Sequence, residues 1–276
     1  MRGKSRASLD LIQAAYEVLE TIQPASVRAV CYQLFIRRVI PDMTLKNTRR
    51  VGAQLVWARE HEIIPWSWIV DETREAERVN QWENAAQFAD AVQRSYRRDR
   101  WQDQPRLVEV WSEKGTVRGT LAPVLNQYGV TFRVMHGFGS ATVVHDVAEG
   151  TLALYVGDWD PSGMYMSEVD LPARLERYGG DAEIERVALT DTDIAGNLPS
   201  FLAATKRGDP RYTWFIRHHG PRCWELDAMN PNDLRERVAN AIFANIDLVP
   251  WERAELVETT ERESFIRVMG EWRRSV

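Results

Sequence analysis

The stretch Gly157-Asp158-Trp159-Asp160-Pro161-Ser162-Gly163 decides how this chain is read, because it follows an apolar run, Leu152 to Val156, with the length and composition of a buried strand. Two carboxylates one residue apart thereby stand at a strand's end. About 45 residues earlier a second apolar run, Leu107 to Trp111, leads into Ser112-Glu113-Lys114 and puts Glu113 where a neighbouring parallel strand would end. Ligands of open α/β sheets bind at these carboxyl ends. Mg²⁺ seeks oxygen ligands and takes one or two carboxylates, leaving positions for water and phosphate. Glu113, Asp158 and Asp160 are therefore expected to hold Mg²⁺ or Mn²⁺.

Two other readings of these residues stay open. Asp158-x-Asp160-x-Ser162-Gly163 fits the first half of a calcium loop, although that loop needs a bidentate Glu at its twelfth position, where Val169 stands. A polar turn with solvated carboxylates is the plainer alternative.

The 276 residues, 44% apolar and 27% charged, suit a globular protein with two modest domains. No apolar run approaches a membrane span, and the basic start Met1-Arg2-Gly3-Lys4-Ser5-Arg6 has no signal-peptide segment behind it, so the chain is expected in the cytoplasm and off the membrane. Cys31 and Cys223 lack paired spacing, which argues against a disulfide framework or a zinc site. The net charge is -5, but residues 1–50 hold nine Lys or Arg against four Asp or Glu. A basic front and an acidic body suit a first domain that touches phosphates and a second that collects metal ions, and equally an ordinary solvated surface with a chance asymmetry of charge.

Helical spacing is clear over residues 10–22, again from Val27 to Arg37, and over about 44–62 with Lys46, Arg49 and Arg50 outside. The alternation in Ile63-Ile64-Pro65-Trp66-Ser67-Trp68-Ile69-Val70 predicts a short hairpin. Three helices and a hairpin make a winged helix over residues 1–78, with Lys46, Arg49 and Arg50 as its expected DNA contacts. Residues 79–105 read as a linker helix ending in a polar, proline-closed junction. Strand and helix then alternate over 106–190, the pattern of a mostly parallel α/β sheet, with a short helix near Ala141 to Ala148. Residues 191–276 form a C-terminal extension packed on that domain, with a candidate edge strand at Cys223 to Asp227.

At about 100° per residue, Tyr32 points roughly 150° away from the Val27, Val30, Cys31 and Leu34 stripe of its helix. It is thus expected to be exposed, with Arg28 on the same face. Such a pair suits a nucleophile that attacks a phosphodiester, and equally an ordinary surface tyrosine.

Val27-Arg28-Ala29-Val30-Cys31-Tyr32 resembles the active-site helix of the topoisomerase VI A subunit and of the meiotic double-strand-break transesterase. The order that follows is similar too: Glu113 in Ser-Glu-Lys, Gly137-Phe138-Gly139-Ser140, then Asp158 and Asp160 in Asp-Trp-Asp-Pro-Ser-Gly, over about residues 10–190. The resemblance implies a winged helix followed by a TOPRIM domain. It also implies metal-dependent cleavage of double-stranded DNA, in which Tyr32 Oη attacks phosphorus, leaving a 5′-phosphotyrosyl link, and Arg28 assists. A phenol with a pKa near 10 needs a base, a cation or a nearby metal for that task. The family acts as a homodimer, the tyrosine of one subunit meeting the metal site of the other, and with a separate ATPase subunit. Cys31 departs from the aromatic often found beside the tyrosine. Small TOPRIM nucleases of phages and of Wadjet-type plasmid defence look similar and need not use the tyrosine, so hydrolysis by metal-activated water is an alternative. A catalytically idle DNA-binding subunit is another. Haloacid dehalogenase phosphatases also place Asp-x-Asp after a strand, but near their first strand and without an upstream Glu.

Lesser candidates are His136 and His145 beside the Gly137-Phe138-Gly139 turn, Glu168 for a second metal, and Lys114 for DNA or its own strand. The acidic alternation Glu225, Asp227 is too common to assign.

Overall fold

Serine side chains start the first two helices. In the computed structural model, which describes residues 4–70, 79–135, 144, 147 and 150–275, Ser5 accepts from the Ser8 amide at the head of α1 (Arg6–Ile22). Strand β1 (Ala25–Ser26) then feeds directly into α2 (Val27–Ile36), where Ser26 accepts from the Ala29 amide. With α3 (Leu45–Glu60) these helices enclose one core around Leu11, Val18, Ile22, Val30, Leu34 and Leu55.

The hairpin expected over residues 63–70 is not found among the described residues. Trp66–Trp68 is a 3₁₀ turn, and β2 (Ile69–Val70) lies parallel to β1, with Ala25 opposite Ile69. Pro65 has no amide to give a ladder, and the tryptophans pack outward and sideways: Trp68 against Tyr16, Trp66 under Arg59.

After α4 (Ala85–Ser95), four strands form an all-parallel sheet. They are β3 (Val108–Ser112), β4 (Thr131–Val134), β5 (Leu152–Val156) and β6 (Glu183–Ala188), in spatial order β4-β3-β5-β6. Every residue of β3 and β5 is buried; β5 is apolar throughout, whereas β3 also carries Ser112 and Glu109, whose carboxylate accepts from Trp111 Nε1 and pairs with Arg133 on β4. Helix α5 (Thr116–Tyr128) links β3 to β4, and α6 (Pro161–Tyr165) runs through a wider turn, Met166–Asp170, into α7 (Leu171–Tyr178). This is an α/β fold. Most of the helix expected near 141–148 lies outside the described residues.

The stretch from Asp191 to Gly220, irregular in sequence, holds α8 (Asp191–Ile194), β7 (Ser200–Leu202), a 3₁₀ turn at Ala203–Lys206 and α9 (Tyr212–His219). The candidate edge strand is β8 (Arg222–Trp224), and it pairs antiparallel with β7 rather than joining the parallel sheet. Helices α10 (Pro231–Phe243) and α11 (Leu248–Ser275) close the chain. One continuous core joins the sheet to these late elements through Val110, Leu121, Leu154, Phe215, Val238 and Trp251.

Arg235 on α10 fastens the two ends of the chain together. Its guanidinium donates to Ile22 O at 2.8 Å, Pro24 O at 3.1 Å and Thr120 O at 3.0 Å, satisfying carbonyls where α1 ends and on α5. No described helix is long and apolar enough to cross a membrane.

Candidate active site

Strands β3 and β5 are parallel neighbours, Trp111 opposite Tyr155, so Glu113 and Asp158 leave the sheet at the same edge. Asp160 caps α6: its Oδ1 accepts from the amides of Ser162 and Gly163, each at 2.9 Å, and Pro161 fills the first helical position, where no amide is needed. Glycine at 163 is a steric necessity, since a Cβ there would stand 2.4 Å from Asp158 O and 3.0 Å from Glu113 Oε1. The Asp-Trp-Asp-Pro-Ser-Gly motif thus presses a helix start against both the preceding loop and the glutamate.

The residue between the two aspartates does separate work. Trp159 exchanges two backbone hydrogen bonds with Trp224, both 2.9 Å, and so stitches the loop to β8. That contact carries Glu225, Leu226 and Asp227 into the site. Asp158 Oδ1 accepts from the Leu226 amide at 2.7 Å and from Lys114 Nζ at 2.7 Å. Lys114 also reaches Asp227 Oδ2 at 3.0 Å, and Asp227 Oδ1 accepts from Ser26 Oγ at 2.6 Å. Glu225 clamps Arg28 through both carboxylate oxygens, and Lys206 pairs with Asp160. Glu225, Asp227 and Lys206 were not expected here. Their partners lie far along the sequence, and only the late pairing of Trp159 with Trp224 makes them neighbours.

Beneath the loop Arg186 donates to Asp158 O at 2.7 Å, while its Nε and Nη1 are buried without a hydrogen-bond partner, as is Tyr155 Oη. Burial pulls the Arg186 guanidinium below its ordinary value. Burial, then repulsion from Asp158 and Asp160, pushes the Glu113 carboxyl up to about 7. Asp158 is likewise raised by burial, against the pull of Lys114. Lys114 and Lys206 are held above the usual lysine range by these same aspartates despite being partly buried. Glu113 alone of the three carboxylates has no ion pair among the described residues; Ser162 Oγ approaches it at 3.5 Å.

Tyr32 corrects an expectation. It points away from the core of α1 to α3, as the helical geometry requires, yet it is only 4% exposed. The outer face of α2 is covered by the chain around 199–206 and by Glu225, which with Arg28, Tyr32 and Phe35 line a cavity of about 480 Å³. Burial, then the charge of Glu225, raises the Tyr32 phenol above its ordinary value, and Arg28, 5.8 Å from its ring, only partly offsets this. Arg28 stays exposed, as expected, but its guanidinium is held by both carboxylate oxygens of Glu225.

Lys46, Arg49 and Arg50 are exposed on α3 but do not form one patch. Arg49 shares a face with Gly52, Val56 and Arg59, whereas Arg50 lies about 100° further round and approaches Ala7 O at 3.5 Å. Glu168 faces His219 at 3.0 Å, away from the three carboxylates' contacts. His136, His145 and Gly137 to Ser140 lie outside the described residues.

The donor set of Glu113, Asp158 and Asp160 is all hard oxygen, the chemistry of a Mg²⁺ site. Among the described residues no group of three or more His, Cys, Asp and Glu side chains is already gathered to hold an ion. Lys114 and Lys206 stand on two of the three carboxylates. Compared with known proteins, the chain matches no family model, no curated protein and no solved structure.

Proposed function

We propose that this protein is a metal-dependent DNA-cleaving enzyme of TOPRIM type, with residues 1–78 as a winged-helix unit, acting on double-stranded DNA as a homodimer. One observation supports it above all: Glu113 meets the Asp158 and Asp160 loop at adjacent parallel strand ends and has no cation of its own. Glu113, Asp158 and Asp160 would hold Mg²⁺ or Mn²⁺. When bound, the ion supplies charge neutralisation for the phosphate and lowers the pKa of a water. Glu113 enters as a carboxylate only after losing its proton near pH 7. Lys114 and Lys206 set the local charge balance, and Lys206 is placed to leave Asp160 for a phosphate oxygen.

Hydrolysis is the favoured chemistry, because Tyr32 is buried, protonated and covered by its own chain. Tyrosine transesterification is the second reading, favoured by Glu225, which contacts Arg28 and is placed to accept the phenolic proton. The deciding experiment is plasmid nicking with Mg²⁺ or Mn²⁺. Wild type should nick and Glu113→Gln should not; equal nicking by both would end the assignment.

A further inference from the structure

Two recesses open between the N-terminal helices and the sheet unit. One, of about 940 Å³, reaches Glu113, Lys114 and Asp158; the other, of about 750 Å³, reaches Ser67, Asn126 and Phe132. Both are lined by Arg59, Ile69, Val70 and Arg118, so they are parts of one groove that starts at the carboxylates and runs past two arginines. Among the described residues the acids lie at one end, where Glu225 and Asp227 are already paired with Arg28 and Lys114. Beyond them the charged side chains of the described lining are Arg59 and Arg118. Arg118 is exposed and makes no ion pair or side-chain hydrogen bond among the described residues. Gly115 and Thr116, at the positive end of α5, open on the same groove.

We infer that this groove binds a single nucleic-acid strand, its phosphates on Arg118 and Arg59 and its bases against the apolar lining, and leads it to the carboxylates. This rests on the nuclease reading above. The floor favours an unpaired strand, such as one opened from double-stranded DNA, over an intact duplex: Val56, Val70 and Phe132 are apolar, and a duplex hides the base faces that would use them, whereas an unpaired strand presents phosphates and base faces together. The surface is distinct from the outer side of α3, where Lys46 and Arg50 stand.

The test is fluorescence anisotropy in EDTA, using the full chain, labelled oligothymidylate, and the same strand annealed to oligodeoxyadenylate. The expected result is tighter binding of the single strand, weakened about tenfold by Arg118→Gln and further by Arg118→Glu. The slope of log K against log salt should shrink by about 0.7 for the one lost phosphate contact. Because Arg118 is exposed, both variants should melt with wild type, and a matching melt confirms that the fold is kept. Unchanged affinity and slope in Arg118→Glu, with wild type still binding, would overturn the groove alone. Equal or tighter binding of the duplex, weakened equally by Arg118→Glu, would overturn the single-strand assignment. Absence of binding to either probe by wild type would remove the groove and the nuclease reading together.

Discussion

Lys114 Nζ stands 2.7 Å from Asp158 Oδ1 while also reaching Asp227, so one ammonium bridges the carboxyl end of the parallel sheet and the 3₁₀ turn that follows β8. Removing it leaves two partly buried carboxylates uncompensated. Lys114→Ala should therefore be destabilised by about 3 kcal/mol without metal. Mg²⁺ should restore more of its Tm than it adds to wild type, because the ion and the ammonium meet the same charge. An equal Mg²⁺ increment in both proteins would show that the ion binds elsewhere.

The aspartates themselves can be tested by calorimetry. Asp158→Ala with Asp160→Ala should weaken Mg²⁺ binding by at least roughly 100-fold, since losing even the outer partners of metal ligands costs about 10–100-fold. Unaltered affinity in the double variant would move the metal site away from this loop.

Gly163→Ala places a methyl group 2.4 Å from Asp158 O, which is backbone and has little room to give. The loop must shift, and stability should fall by about 1–3 kcal/mol or more. Nicking should fall with it, because the same shift moves Asp158 away from Glu113. A variant with wild-type melting and wild-type nicking would show that the close approach has no consequence.

The pH dependence follows from Glu113. Its carboxyl is raised in the fold to about 7 from an unfolded value of about 4.3, so between these the folded chain holds the extra proton. Stability from this group is complete below about pH 4, declines as pH rises, and is flat above about 7, a loss on the order of 3 kcal/mol. Denaturant melts of wild type and Glu113→Gln across this window should diverge, wild type losing stability relative to the variant as pH rises. Parallel curves would contradict the shift.

Tyr32→Phe should nick DNA at the wild-type rate and leave no protein covalently joined to it if water is the nucleophile. Loss of nicking, with a covalent adduct in wild type, would make the tyrosine the attacking group.

Much of the sheet was legible in the sequence because buried parallel strands are continuous apolar runs, as Leu152 to Val156 is, and because Asp160-Pro161 announces a helix start. The direction of Tyr32 was legible as well. Its burial was not, since helical periodicity reports which way a side chain points and not what covers it. The hairpin expected over residues 63–70 is not there among the described residues because alternation of aromatics in Trp66-Ser67-Trp68 imitates a strand, while the structure uses them in a 3₁₀ turn. Glu225, Asp227 and Lys206 were invisible for another reason: each meets a partner across a long sequence separation, and no local pattern encodes a long-range ion pair.

Arg235 gives the chain a shared fate. Because one guanidinium on α10 satisfies the carbonyls of Ile22 and Pro24 as well as Thr120 O, the N-terminal helices cannot open without exposing hydrogen bonds that the sheet unit also depends on. Amides in α1 and α5 are therefore expected to exchange with deuterium at similar slow rates, as members of one cooperative unit rather than two. The binding groove lies along that seam, so a ligand seated in it would slow exchange on both sides at once.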